Sequence, residues 1–460
     1  MLDIQSFLGE HLDDLTRITK DVPLEHVGAL TGQADNTILF ENLKGFPDFR
    51  LVDQLFVNRA AQARVLGCSP TGVVPALLDV IRKGPLPLRE ATEAPCQEIV
   101  LKAGDIDLGL LPIVCHTDRD PYPYTTSFAI HRDPETSQHN QMFPRCGVLG
   151  KNEMVASFVT PTANRILAKH RKSGTKMPQA IVIGAHPAWE LAGCYSYRHQ
   201  DWWELELFES ITGQPGEVTT CSTIDLSVPA DASIVIEGYV LPDRTAQDGP
   251  SPGPTMLFTP YASQQPVFEV TAITMRKDPV YRNHLMTPFT DHQEMPRLFH
   301  EALLFDRLQG MGMAVHDIHF SQGGGSLCLV VQMDPTVDGQ VTDALLAVLG
   351  SPWLNTKMAV IVDSDINIYD YRDVTYAIAT RVDPSRDLLI VPNARAFPFD
   401  PSATPVAEAG GDVLDTRFPS TVGKWGIDAT KPVPYRTSER RNYDRAWPLH
   451  WRDVKLEDYL

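Results

Sequence analysis

The stretch Thr245-Ala-Gln-Asp-Gly-Pro-Ser-Pro-Gly-Pro-Thr255 sets one carboxylic acid, Asp248, in a loop rich in proline and glycine. Buried there, a carboxyl group would titrate nearer the working range, where it can shuttle a proton, or it would pair with a cation. An arginine has suitable chemistry for that pairing, and one candidate is Arg145, five residues after Asn140 and just before the turn Gly150-Lys-Asn152. Arginine offers a planar fork of donors that holds a carboxylate bidentately without losing its charge. Asp-Gly-Pro is equally an ordinary turn sequence, and Arg145 read alone is a surface residue of a β-turn. His292, in Thr290-Asp-His-Gln-Glu294, is either a proton carrier or a helix N-terminal histidine beside an Asp291 cap. Lys424 lies between Gly423 and Trp425, a flexible cation on a glycine-containing turn that suits phosphate capture as a point charge.

The elements that must position these residues follow from periodicity. Leu2, Ile4, Phe7, Leu8, Leu12 and Ile18 sit near helical spacing and predict an amphipathic helix over 2–19. A strand is expected from Thr37 to the Gly45 turn, and a helix from Asp53 to Leu66 that stops at Gly67. Between Ile99 and Val240 short β-branched runs alternate with Gly, Pro and Asp turns, the pattern of a barrel or sandwich. Helices near Ala163–Ser173 and Trp202–Thr212 interrupt it. After Pro296 a helix over Arg297–Leu308 reads as a connector, and strands then alternate with helices as in a separate α/β layer domain. Tyr435–Leu460, rich in Arg, Asp and Trp, reads as a packed arm.

Bulk properties are permissive. A chain of 460 residues is too long for one ordinary core, and a 43% hydrophobic fraction with 37 prolines suits a globular, loop-rich enzyme. The net charge of −18 argues against nucleic acid and anionic membrane surfaces as partners. Seven scattered cysteines without a Cys-x-x-Cys pair indicate neither a disulfide framework nor structural zinc. No basic-then-apolar leader opens the chain and no apolar run reaches spanning length, so a cytoplasmic protein is expected.

In succession, Phe40-Glu-Asn-Leu-Lys-Gly45, Asp105–Pro112, Asp120-Pro-Tyr-Pro-Tyr124, the 245–255 loop and Gly423-Lys-Trp-Gly-Ile-Asp-Ala-Thr-Lys-Pro432 resemble the UbiD family of prenylated-flavin decarboxylases. The resemblance covers nearly the whole chain. It implies an N-terminal α/β segment (1–95), a flavin-binding split β-barrel (96–292), a linker helix (293–311), a C-terminal α/β dimerisation domain (312–433) and an arm (434–460). It implies Arg145, Asp248 and His292 as catalytic residues, and Asn140, Pro144, Cys221, Ser222 and Lys424 around prenylated FMN, with potassium as a further ion. The departures matter as much. The family's second loop acid is Gly253 here, and its metal-binding His and Glu positions read Ala163 and Ser222. Asn140 is left as the one expected ligand, so a manganese or magnesium site should be weak or absent. His170 is a substitute ligand by type, although a histidine on a basic helix commonly faces solvent.

The leading reading is a non-oxidative decarboxylase or carboxylase of an aromatic, heteroaromatic or α,β-unsaturated acid, supplied with cofactor by a flavin prenyltransferase. Two others stand beside it: a homologue that has lost the reaction and only binds a flavin or small acid, and a thioester decarboxylase. A homodimer or larger even assembly is expected.

Overall fold

The computed structural model describes residues 2–158, 160–195, 202–250, 252–253, 255–258, 263–352, 356–397, 400–405, 420–451 and 453–459. The first helix, Ile4–Glu10, is capped by Asp3, whose carboxylate accepts from Ser6 N–H at 2.8 Å. It ends well before residue 19. Thr16–Val22 is instead a strand paired in parallel with Ile38–Leu43, so Ile18 serves a sheet and not a helix. Its β-branched Thr16, Ile18 and Thr19 favour that outcome, because the pleated backbone leaves their χ1 unstrained. The next helix also starts later than the sequence pattern suggests. Asp53 closes the strand Arg50–Asp53, and the helix Arg59–Leu66 begins at an Asn58 cap and stops at Gly67 with φ +62°. The stretch near Trp202–Thr212 divides into a 3₁₀ turn, Glu204–Leu207, and a short helix, Phe208–Thr212.

The central layer is a nine-stranded, largely antiparallel sheet that curls into a half-barrel. Its order runs 124–125, 145–148, 153–157, 263–275, 234–248, 177–183, 129–132 and 139–142, with Ile99–Lys102 added alongside 263–275. The long strands Ile234–Asp248 and Ser263–Met275 are its spine, and the interior is filled by Ile181, Ile183, Ile234, Ile236, Phe268 and Ile273. Helix Pro161–Ser173 covers it through Ala163, Ile166 and Leu167. The linker helix Leu298–Gly310 packs on helix Val73–Lys83 and leads to the C-terminal sheet. There Val315–Phe320, Cys328–Met333, Met358–Val362, Ser420–Ala429 and Leu388–Arg395 lie side by side, the middle three parallel. Among the described residues no single helix is long and apolar enough to cross a membrane.

Buried ion pairs lock these layers. Arg282 has no exposed side-chain surface and meets three carboxylates: Asp291 at 2.6 Å, Asp53 at 3.2 Å and Glu190 at 3.2 Å. Each comes from a different segment, so one guanidinium ties the N-terminal region, the half-barrel and the start of the linker. Arg59 does the same between its helix and the linker, with Glu301 at 2.6 Å and the Ile318 carbonyl at 3.0 Å. Replacing Arg282 by Met should remove a fully buried partner from three acids. The loss should be on the order of 3–5 kcal/mol, read as a collapse of the denaturation midpoint or of soluble yield.

Five histidines, the buried His116, His131 and His186 and the half-buried His292 and His300, are held toward the neutral form. Burial pushes the first three down to about 4 and the last two to about 3. Such groups stabilise the fold fully above the unfolded value near 6.5, and the unfolded chain gains protons first as pH falls toward 4. Burial acts oppositely on Asp231, raised to about 7, and raises Asp53 as well. Five histidines lowered this far outnumber the two acids raised to about 7, so the free energy of unfolding should drop between pH 7.5 and 5.5. Equal denaturation midpoints at the two pH values would contradict this.

Candidate active site

The site is built on two neighbouring strand ends of the half-barrel. Arg145 opens the strand Arg145–Val148 and is buried, and Asp248 ends the spine strand. Gly249, at φ +87°, takes the chain away from that strand in a conformation glycine adopts without strain. Arg145 Nη2 lies 3.8 Å from Asp248 Oδ1, so the two residues that sequence reasoning paired do meet.

Two further residues, which the motif reading passed over, hold them. Asp120 Oδ1 sits 3.1 Å from Arg145 Nη1, while its Oδ2 accepts from His116 N–H at 2.8 Å and Thr117 N–H at 3.0 Å. Tyr124 lies beneath the guanidinium, whose carbon is 3.5 Å from the ring centroid, and donates its hydroxyl to Asp248 Oδ1 at 2.7 Å. Burial first, then the Asp248 carboxylate, pushes the Tyr124 phenol well above its ordinary value, so it remains a donor. The signal was present in Asp120-Pro-Tyr-Pro-Tyr124, where acid and phenol share one short segment.

Gly147 makes room for this stack. A Cβ there would lie 2.7 Å from Tyr124 Cε1 and 3.0 Å from Tyr122 Cδ2. Arg145 is therefore gripped by one carboxylate and one ring, with a second carboxylate close by. Its Nε and Nη2, the side-on edge of the fork, are buried without a hydrogen-bond partner. That edge is the one that accepts a carboxylate through two parallel bonds.

His292 is half-buried at the start of the segment Asp291–Glu294, its ring 6.5 Å from that of His284. Burial, reinforced by His284 and His116, pushes it down to about 3. A neutral imidazole can hydrogen-bond here. The position of the family's second acid, Gly253, forms a tight turn in which Met256 N–H reaches the Gly253 carbonyl at 2.7 Å.

Of the residues expected around a flavin, Asn140 and Pro144 are buried on or beside the strands that bear Arg145. Asn140 Nδ2 is buried with no hydrogen-bond partner, an orphan donor that fits a polar ligand. Cys221 is buried, and Ser222 N–H donates to Glu237 Oε1 at 2.9 Å. Lys424 lies on the strand Ser420–Ala429. Its ammonium donates to the Leu349 carbonyl at 3.0 Å, closing the helix Gln340–Leu349, and burial lowers its pKa. His170 is buried and not solvated, with Nδ1 on Thr175 Oγ1 at 2.9 Å. Ala163 contributes a buried methyl group, and the Glu237 carboxylate is taken up by Ser222 and Thr223 N–H groups and the Thr223 hydroxyl. This donor set does not fit a divalent cation. Among the described residues no group of three His, Cys, Asp or Glu side chains could hold one.

Comparison with known proteins agrees with this geometry. The 3-octaprenyl-4-hydroxybenzoate carboxy-lyase Rift-related domain of UbiD matches residues 88–288, and the corresponding C-terminal domain matches 294–429. The chain belongs to the UbiD family. It is an enzyme of the carboxy-lyase class that this family comprises. It is 29% identical over 426 residues to anhydromevalonate phosphate decarboxylase of Methanosarcina mazei, covering 92% of this chain and 93% of that one. The UbiD-class enzyme HmfF from Pelotomaculum thermopropionicum, in complex with FMN, is 30% identical over the full length of both chains, with a TM-score of 0.87. An evolved dimeric form of HmfF bound to prFMN is 29% identical, at 0.84 over the full length of both chains. The apo 3,4-dihydroxybenzoic acid decarboxylase of Enterobacter cloacae shares the fold at 20% identity and a TM-score of 0.86, covering 100% of this chain and 99% of that one.

Gly147→Ala should displace the Tyr124 ring and unseat Arg145. Activity should fall at least ~10-fold, the effect of a reacting group moved by a fraction of an ångström, with the melting temperature little changed. An active Gly147→Ala enzyme would show that the stack is not needed.

Proposed function

We propose that this UbiD-family member is a non-oxidative decarboxylase of a small aromatic, heteroaromatic or α,β-unsaturated carboxylic acid, working with prenylated FMN. The observation that carries the reading is the buried, unpartnered Nε–Nη2 edge of Arg145 beside Asp248. The reaction exchanges a carboxylate for hydrogen: the bond to the carboxyl carbon breaks, carbon dioxide leaves, and one proton is added at the vacated carbon. Arg145 binds the carboxylate and sets its orientation. Asp120 keeps the guanidinium from turning, since it is anchored on two backbone N–H groups. Asp248 is 3% exposed, so a proton on its carboxyl group is transferred without competition from bulk water. Tyr124 holds that carboxyl group in place.

When bound, prenylated FMN supplies the electron sink for the pair left behind as carbon dioxide departs. Asn140, Pro144, Cys221 and Ser222 are the residues proposed to hold it. Lys424 fits a cofactor-phosphate role less well, because its ammonium already serves a helix end. Proton handling is assigned to Asp248 and not to His292, whose ring stays neutral. A flavin prenyltransferase would supply the cofactor, and a homodimer or larger even assembly is the proposed state.

Protein co-expressed with a flavin prenyltransferase should carry a flavin chromophore and release carbon dioxide from an acid of this class. Arg145→Ala should cost on the order of 10³-fold in kcat/KM, since it removes both orientation and charge. Asp248→Asn should lower kcat by ~10²-fold or more while leaving KM nearly unchanged, because only proton transfer is lost. Full activity in both variants would overturn the assignment.

A further inference from the structure

Five arginines among the described residues are buried: Arg59, Arg145, Arg282, Arg297 and Arg381. Four of them have a carboxylate oxygen within 3.1 Å, on Glu301, Asp120, Asp291 and Asp363 or Asp365 respectively. Arg297 is the exception. It is 3% exposed, its Nε has no hydrogen-bond partner, and among the described residues no carboxylate stands within ion-pair distance of it. Its guanidinium carbon lies 5.9 Å from the centroid of the Phe320 ring.

The acids nearest in charge are unable to serve. The Glu301 carboxylate is occupied by Arg59 at 2.6 Å, by the Phe320 N–H at 2.7 Å and by His319 at 3.2 Å. Glu294 is buried with an unpartnered Oε1, and burial raises its pKa toward the neutral acid. A buried cation without an anion is costly to the fold, and burial pulls even this guanidinium down to about 10. Such an arrangement persists where a ligand completes it.

Its place in the molecule says which ligand. Arg297 ends the segment 291–297 that bears His292, whose ring lies 6.5 Å from that of His284. Asn283, next to His284, meets His116 Nε2 at 3.1 Å, and the His116 N–H shares Asp120 with Arg145. This histidine group thus connects the segment that ends in Arg297 with Arg145. We propose that Arg297 is a second anion subsite, which receives a carboxylate or phosphate at the end of the substrate remote from the carboxylate held by Arg145. The substrate class is then a doubly anionic unsaturated or aromatic acid. This rests on the decarboxylase reading, whereas the subsite itself is testable by binding alone.

The test uses the flavin-loaded enzyme and three probes: inorganic phosphate, benzoate against benzene-1,4-dicarboxylate, and anhydromevalonate against its phosphate. Titration calorimetry should show the doubly charged member of at least one pair bound at least ~10-fold tighter, the worth of one or two charge-assisted hydrogen bonds. The pair showing the preference distinguishes a carboxylate from a phosphate. Arg297→Gln should abolish that preference and phosphate binding while leaving the singly charged acids unchanged. Arg297→Lys should keep part of the preference, and Arg297→Met should raise the melting temperature by removing an unpaired buried charge. The proposal is overturned if wild type shows no preference, if Arg297→Gln retains it, or if flavin content falls in Arg297→Gln, which would make the cofactor phosphate the anion. Should the preference obey Arg297 in binding while no acid loses carbon dioxide, the subsite stands and the decarboxylase reading fails.

Discussion

The structure depends on how charge is kept out of water. Arg282, with no exposed surface, is matched by Asp53, Glu190 and Asp291, and His284 reaches the same Glu190 at 3.3 Å. Desolvating one guanidinium and three carboxylates is expensive, and the arrangement holds because every member has a partner of opposite sign or a hydrogen bond. The same network fixes the relative position of segments far apart in sequence. The walls on which the active site stands are consequently rigid.

That rigidity is what lets Arg145 work. Its guanidinium is held by Asp120, flattened on Tyr124 and flanked by Asp248, which leaves one edge of donors free. A fork held on two sides has little freedom left to lose when a carboxylate arrives, so binding energy goes into orientation. The contrast among the buried arginines extends this logic. Where the cation is structural, its carboxylate is supplied by the chain; Arg145 keeps an edge without a hydrogen bond, and among the described residues no acid stands within ion-pair distance of Arg297. Stability and function make opposite demands on a buried charge, and the pairing pattern separates them.

Glu237 turns its carboxylate to the N–H groups of residues 222 and 223. Backbone donors order the loop there without a cation. The Asn140 amide keeps a buried donor without a partner, suited to an acceptor oxygen.

Much was legible in the residues themselves. The half-barrel strands, the linker helix and the alternating C-terminal elements follow from periodicity and from Gly and Pro punctuation, which are local properties. The meeting of Arg145 with Asp248 was also anticipated, from the order of the motifs. The sequence could not show that Thr16–Val22 leaves the helical pattern to pair with Ile38–Leu43, because that choice is made by a partner strand. Nor could it show that Asp120 and Tyr124 clasp Arg145, that His170 is buried, or that Lys424 closes a helix. Each depends on what lies opposite across a sheet or beneath a helix. Residue type and spacing determined which chemistry was available to this chain. Tertiary packing decided which charges find partners, because pairing and desolvation are set by distances that only the folded chain defines.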